Sequence, residues 1–97
     1  MIYHAVYFKW KNDAPKEKIN DAVRSLNSLK GIVPSILEIQ VGENFSDRSG
    51  GYTHALISKF RSKEHLDQYQ THPEHQKVVT EKIKPIVEST LVGDIEI

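Results

Sequence analysis

Apolar and polar residues alternate along several stretches of the chain with the two-residue period of a β-strand. The first stretch covers residues 2–10, and one of its faces consists of Ile2, His4, Val6, Phe8 and Trp10. The same alternation over residues 36–41, 52–60 and 91–97 predicts three further strands. Residues 42–51 are rich in Gly, Asn, Asp and Ser, which predicts a loop between the second and third strands.

In the segments between the strands, apolar residues recur at every third or fourth position, which predicts amphipathic helices. Asp13 lies near the start of the first helix, Pro15 falls in its first turn, and Gly31 is a suitable C-terminal stop. Ser62 is a good N-cap for a short second helix that carries Tyr69 on its apolar face.

A third helix is predicted to begin at Pro73, directly after His72. The residue before a proline favours extended backbone, so His72 is expected to shape the start of this helix. The apolar stripe of the helix consists of His75, Val78, Val79, Ile83 and Ile86. Pro85 lacks an amide hydrogen and is therefore expected to kink the last turn.

The predicted order β-α-β-β-α-α-β is that of an α+β, ferredoxin-like sandwich. One domain is expected over residues 1–97, with an antiparallel four-stranded sheet in the strand order 4-1-3-2. Right-handed crossovers place every helix on one face of this sheet. The uncovered face is expected to carry Tyr3, Ala5, Tyr7, Ile36, Ala55, Ile57 and Val92, interspersed with Glu38, Gln40, Lys59, Asp94 and Glu96. Such an apolar patch predicts a homodimer through the sheet. A half-solvated antiparallel face is the alternative.

Charge and composition exclude several classes of protein. The chain has 13 Lys+Arg and 13 Asp+Glu residues, and this balance argues against a nucleic-acid binder, which needs a basic surface. No cysteine is present, so disulfides, thiolate metal sites and a thiol nucleophile are excluded. The first residues lack the basic region and the long apolar region of a signal peptide, and no apolar run approaches the roughly 20 residues that span a bilayer. A cytoplasmic protein away from membranes is therefore expected.

The candidate chemistry lies where the second and third helices meet. His75 is on the apolar stripe, where burial disfavours the charged imidazole, so it is expected to be a neutral base. A base of this kind abstracts a proton next to a carbonyl, and the phenol of Tyr69 is placed to stabilise the resulting enolate. The alternative is structural, with a core histidine bonded to a backbone carbonyl and a tyrosine whose hydroxyl reaches the surface.

Strand order adds further candidates. His4 faces the helices, and it lies at the end of the sheet from which the second helix leaves, so it is expected near Tyr69 and His75. His54 is several residues away along the sheet, and it is either a satisfied polar group or a lining residue at the far end of a pocket. His72 and His75, with Glu74 or His4, are candidate metal ligands, but their spacing matches no established signature, so no metal is assigned.

Four segments of the chain resemble the Dabb family of stress-responsive dimeric α/β-barrel domains. They are His4 with Phe8-Lys9-Trp10-Lys11, Val41-Gly42-Glu43-Asn44, Gly51-Tyr52-Thr53-His54-Ala55 and Tyr69-Gln70-Thr71-His72-Pro73-Glu74-His75. The resemblance covers nearly the whole chain, and it implies a ferredoxin-like fold whose sheets meet across a dimer as a barrel. A polyketide cyclase of this family works without a cofactor, and its site residues fall on Tyr69, His75, His4 and His54.

The resemblance leaves three functions open, all without a cofactor. The first is a stress-responsive module that binds a small apolar, carbonyl-containing molecule between helices and sheet, with His54, Val6, Phe8 and Val79 as lining residues. The second is a polyketide cyclase or lyase, with His75 as general base, Tyr69 as orienting phenol and His4 in support. The third is a cofactor-free monooxygenase of the dimeric α/β-barrel superfamily.

Overall fold

The computed structural model describes all 97 residues, which form four strands and three α-helices. The elements are β1 (Ile2–Trp10), α1 (Lys16–Ser28), a 3₁₀ turn (Leu29–Gly31), β2 (Glu38–Glu43), β3 (His54–Phe60), α2 (Lys63–Thr71), α3 (Pro73–Val78), a π-helical turn (Val79–Ile83) and β4 (Val87–Glu96). The sheet order is β2-β3-β1-β4 with every neighbouring pair antiparallel, so the predicted ferredoxin-like topology is confirmed. No helix is long and apolar enough to cross a membrane.

The core lies between the helices and one face of the sheet. It is formed by Ile2, Phe8, Trp10, Ala22, Leu26, Leu29, Val33, Ile36, Ile39, Leu56, Phe60, Leu66, Tyr69, Ile83 and Ile86. The side chains of β1 that face the helices are the ones that the alternating pattern predicts. Because β1 is the central partner of both β3 and β4, it sets the register of the whole helix-covered face.

The strand ends differ from the predicted ranges. β2 begins at Glu38 rather than at residue 36, because the backbone before it bends to insert Ile36 into the core, where it is 3% exposed. The placement of Ile36 on the uncovered face is therefore wrong. β4 begins at Val87 rather than at residue 91, because its first residues pair with the end of β1 through an irregularity at Lys9 and Trp10.

The two faces of β4 are the reverse of the prediction. Val92 pairs with Val6, and Asp94 pairs with His4, so both side chains lie on the helix side of the sheet, as does Glu96. Leu91, Gly93 and Ile95 pair with residues of β1 whose side chains point to the uncovered face. A register shift of one residue inverts a strand, and apolar residues occur at both parities in β4, so alternation alone could not decide its orientation.

Turn chemistry explains how the helices begin and end. The Ser62 hydroxyl accepts a hydrogen bond from the His65 amide at 3.3 Å and caps α2, as predicted. Pro85 ends the third helical segment rather than kinking it. The π-helical turn closes with a hydrogen bond from the Lys84 amide to the Val79 carbonyl at 2.9 Å, and the chain enters β4 two residues after the proline.

Candidate functional site

A cavity of about 220 Å³ lies between the helices and the sheet. Its lining consists of His4, Val6, Phe8, Leu26, Leu56, Tyr69, Gln70, His75, Val79, Ile83, Thr90 and Val92. The apolar side chains predominate, and the polar groups come from the two histidines, Tyr69, Gln70 and Thr90. Val6, Phe8 and Val79, which were expected as lining residues, all contribute, whereas His54 does not.

The junction of α2 and α3 places Tyr69 against His75. The His72 ring caps α3 by accepting a hydrogen bond from the Glu74 amide at 3.1 Å, and Pro73 occupies the first helical turn. This turn brings the rings of Tyr69 and His75 together, with 4.3 Å between their centroids. His72 therefore has the structural role that its position before proline predicts.

The protonation of the His75 ring follows from its contacts. Nδ1 lies 3.1 Å from the Gln70 carbonyl oxygen, which can only accept a hydrogen bond, so Nδ1 carries the hydrogen. Nε2 of the neutral ring is then left with a lone pair. Burial lowers the pKa of His75, and the nearby His4 and His72 lower it further, although the bond to Gln70 opposes this shift. A neutral, proton-accepting imidazole results.

Tyr69 is the most deeply buried aromatic residue of the site, at 1% exposure. Its ring packs against Phe60, with 5.2 Å between centroids, while its hydroxyl is bonded to no protein group. Burial raises the pKa of Tyr69 well above its ordinary value, so the phenol stays protonated. The hydroxyl is therefore a free hydrogen-bond donor beside a neutral imidazole.

His4 approaches the same two rings from the sheet. It is buried, with its ring centroid 6.3 Å from that of Tyr69, and its Nδ1 donates a hydrogen bond to the Asp94 carboxylate. The Ser58 hydroxyl bonds the His4 carbonyl at 3.2 Å and holds the backbone. The structure thus brings together His4, Tyr69 and His75, and it adds Asp94, which the predicted orientation of β4 had placed on the uncovered face.

His54 lies outside this cluster. Its Nδ1 accepts hydrogen bonds from the Trp10 indole at 2.9 Å and from the Thr53 hydroxyl at 3.1 Å. Burial lowers the pKa of His54, as expected for a neutral ring that accepts hydrogen bonds. The Trp10 ring stacks on Phe8, which lines the cavity, at 5.2 Å between centroids, and Phe8 is also the cross-strand partner of His54.

The cavity opens along the edge strand of the sheet. Thr90 and Val92 of β4 form one rim and are exposed, Val92 by 52%, while Val79 and Ile83 of the π-helical turn form the opposite wall. A π-helical turn places an extra residue in one turn and is frequent at functional sites. No group of three or more His, Asp or Glu side chains is placed to hold a metal ion.

The cluster has the parts needed for proton transfer at carbon. Nε2 of His75 can take a proton, and the Tyr69 hydroxyl can donate a hydrogen bond to an oxygen. An antiparallel ferredoxin-like sandwich with a cavity between its layers defines a class of small α+β domains. Within that class, the chain belongs to the Dabb family, because residues 2–97 match the family model described as the stress responsive A/B barrel domain.

Individual relatives agree with this family. The chain is 36% identical over 95 residues to a stress-response A/B barrel domain-containing protein of Arabidopsis thaliana, covering 97% of this chain and 36% of the plant protein. It is 24% identical over 76 residues to olivetolic acid cyclase of Cannabis sativa, covering 76% of this chain and 75% of the cyclase. The chain thus spans little more than a third of the length of the Arabidopsis thaliana relative.

The structure of this chain is similar to that of a dimeric, ferredoxin-like protein of unknown function from Bacteroides fragilis. The TM-score is 0.76 at 28% identity, covering 99% of this chain and 95% of that one. The resemblance expected from the sequence segments is therefore confirmed for both the family and the fold.

Proposed function

We propose that the cavity binds a small, mainly apolar molecule that carries a carbonyl group. The observation that carries this proposal is the packing of the Tyr69 ring against the His75 ring, 4.3 Å between centroids, in a mainly apolar cavity where the Tyr69 hydroxyl is bonded to no protein group. Binding pockets are commonly apolar with a few polar groups that fix the orientation of the ligand. A ligand carbonyl would accept the Tyr69 hydrogen bond while its apolar body lies against Val6, Val79 and Leu56.

The single tryptophan of the chain offers a direct test. Trp10 stacks on Phe8, and Phe8 lines the cavity, so a bound molecule is expected to change the Trp10 fluorescence. Benzoylacetone, a small aryl diketone, is the probe. We expect saturable binding that weakens about tenfold in Tyr69→Phe, which loses only the hydroxyl. A non-saturable signal, or equal affinity in Tyr69→Phe, would contradict the proposal.

A second function is favoured by the protonation states of the cluster. A neutral His75 next to a protonated Tyr69 suits cyclisation of a poly-β-ketone, and the relative olivetolic acid cyclase supports this choice. Nε2 of His75 takes a proton from the carbon next to a carbonyl, and the electron pair moves to the oxygen that Tyr69 bonds. The enolate carbon then attacks a second carbonyl carbon, and the imidazolium returns the proton to the new alkoxide.

In this scheme His4 and Asp94 act as positioning residues. The Asp94 carboxylate holds Nδ1–H of His4, which orients the ring toward Tyr69. The test is turnover of a linear poly-β-keto thioester by wild type and by His75→Ala. A general base contributes about 10²- to 10⁴-fold, so a loss of that size is expected. Equal rates in the two proteins would refute the role of His75, while benzoylacetone binding is a separate measurement.

We also propose that the chain forms a homodimer through the uncovered sheet face. Tyr3 and Tyr7 of β1, Ile57 of β3, and Leu91 and Ile95 of β4 form its apolar surface. Ile57, Leu91 and Ile95 are among the exposed large apolar residues, and such patches mark association sites. The similar Bacteroides fragilis protein is described as dimeric. A monomer mass at micromolar concentration would contradict this assembly.

A further inference from the structure

A second cavity, of about 320 Å³, lies on the face of the sheet that the helices leave uncovered. Its lining consists of Tyr7, Asn44, Ser46, Arg48, Ser49, Tyr52 and Leu91. Tyr7 and Leu91 pair across β1 and β4 and form its floor, while residues 44–52 form its wall. It shares no lining residue with the 220 Å³ cavity on the helix side of the sheet, which contains His4 and His75 and is called the histidine cavity below.

The wall is a loop with its own internal hydrogen bonds. The Asn44 side chain donates to the Tyr52 carbonyl at 2.8 Å, and the Ser46 amide donates to the Asn44 side-chain oxygen at 3.2 Å. The Tyr52 hydroxyl lies 3.2 Å from the Ser89 hydroxyl on β4. The loop therefore crosses the sheet from β2 at one edge to β4 at the other. Gly51 has a φ of +90°, and a Cβ atom there would lie 3.1 Å from the Lys9 side chain. Gly51 thus permits this close approach.

Arg48 is a cation of this face that makes no ion pair. Lys9 pairs with Glu88 at 3.4 Å, and Lys59 lies over the Tyr3 ring and shares its face with Glu38, its partner in the β2–β3 register. The Arg48 guanidinium has no ion pair, and no carboxylate lines the cavity. The cavity therefore offers a free guanidinium together with donors from Asn44, Ser46 and Ser49.

We infer that this second cavity binds the carboxylate of a small aromatic acid. A guanidinium holds a carboxylate through two parallel hydrogen bonds, and the serine hydroxyls and the Asn44 amide can supply further donors. The rings of Tyr7 and Tyr52 and the side chain of Leu91 provide surfaces for an apolar ring. The inference does not depend on the proposed dimer, although a second copy on this face would cover the cavity, because Tyr7 and Leu91 belong to both surfaces.

The test uses sodium benzoate as the probe and follows backbone amide resonances of the labelled full chain at constant ionic strength. Saturable shifts are expected for residues 44–52, Tyr7 and Leu91, with those of the histidine cavity unchanged. Arg48→Gln should weaken binding about tenfold or more, since it removes a charge-assisted pair. Arg61→Gln is the matched control, because Arg61 is exposed and lies outside this cavity.

Several results would overturn the inference. Shifts that stay linear with benzoate concentration, equal affinity in Arg48→Gln, or binding of inorganic phosphate in preference to benzoate would each do so. The mass of the same sample, measured by light scattering, tests the dimer separately. A dimer without benzoate binding contradicts the carboxylate site alone, whereas a monomer that binds benzoate through Arg48 contradicts the dimer alone.

Discussion

The two faces of the sheet are built from the same strands but have different chemistry. On the helix side, β1 contributes His4, which is buried with Tyr69 and lies beside the half-buried His75. On the uncovered side, β1 contributes Tyr7, which meets Arg48 and hydroxyl groups at the surface. Burial makes the first site a place for neutral acid–base groups, whereas exposure keeps a charged guanidinium on the second. One strand with a two-residue period thus contributes side chains to two proposed sites whose residues can be substituted independently.

The largest expected difference between the two sides is in stability. Phe60 is fully buried on the helix side, and Phe45 is 99% exposed on the loop that crosses the uncovered side. Phe60→Ala should lower the free energy of unfolding by about 3–5 kcal/mol, because it leaves a cavity in the core. Phe45→Ala should change it by less than about 0.5 kcal/mol. Urea unfolding monitored by circular dichroism measures both, and similar values would contradict the assigned core.

Adjacent residues of β4 allow the two faces to be separated. Leu91→Arg places a charge on the uncovered face and should weaken self-association about thirtyfold or more, leaving benzoylacetone binding intact. Val92→Arg places the same charge at the rim of the histidine cavity and should weaken benzoylacetone binding about tenfold, leaving the dimer intact. Sedimentation and Trp10 fluorescence are the two measurements. If Leu91→Arg weakened benzoylacetone binding and Val92→Arg weakened self-association instead, β4 would have the orientation expected from simple alternation.

The predictability of the site differs between the α2–α3 junction and β4. At the junction, local chemistry decides the structure, because Ser62 caps one helix while His72 and Pro73 start the next. The neighbourhood of Tyr69 and His75 could therefore be anticipated from the sequence. These constraints act over a few residues and need no knowledge of tertiary packing.

In β4, by contrast, Leu91, Val92 and Ile95 provide apolar side chains at both parities, so the sequence pattern fits either orientation. The register depends on pairing with β1 across 90 residues, including the bond from His4 to Asp94. Asp94 was missed as a site residue for this reason. A sequence signal did exist, since an acidic residue on a strand next to a buried histidine is a candidate partner for it. The π-helical turn has no comparable signal.

Replacing Asp94 is expected to have a smaller effect, on turnover at the helix side of the sheet. Asp94→Asn should weaken the orientation of His4 and reduce turnover of the poly-β-keto thioester about tenfold, since the carboxylate no longer holds Nδ1–H. Nitrogen NMR of the His4 ring should show a changed tautomer balance, which a purely structural role would not produce. Glu96→Gln is the matched control, because Glu96 makes only an exposed pair with Lys63 at 3.7 Å. Equal losses in both variants would contradict the positioning role of Asp94.

The smallest expected effect is a pH dependence confined to the helix side, where His75 lies. Burial lowers the pKa of His75, so in the range between that lowered value and the ordinary histidine value of about 6.5 the unfolded chain binds more protons. The free energy of unfolding should therefore be highest above about pH 6.5 and should fall as the pH decreases toward the folded-state pKa. His54, whose pKa burial also lowers, adds to this slope in the same direction.

Urea unfolding of wild type and His75→Gln between about pH 5 and pH 8 measures this slope. The variant should retain the part of the slope that comes from His54 and lose the rest. Arg48→Gln on the uncovered face is the matched control and should leave the slope unchanged, because a guanidinium stays charged throughout this range. A slope of the same size in His75→Gln as in wild type would show that the imidazole is not the buried, neutral group that proton abstraction requires.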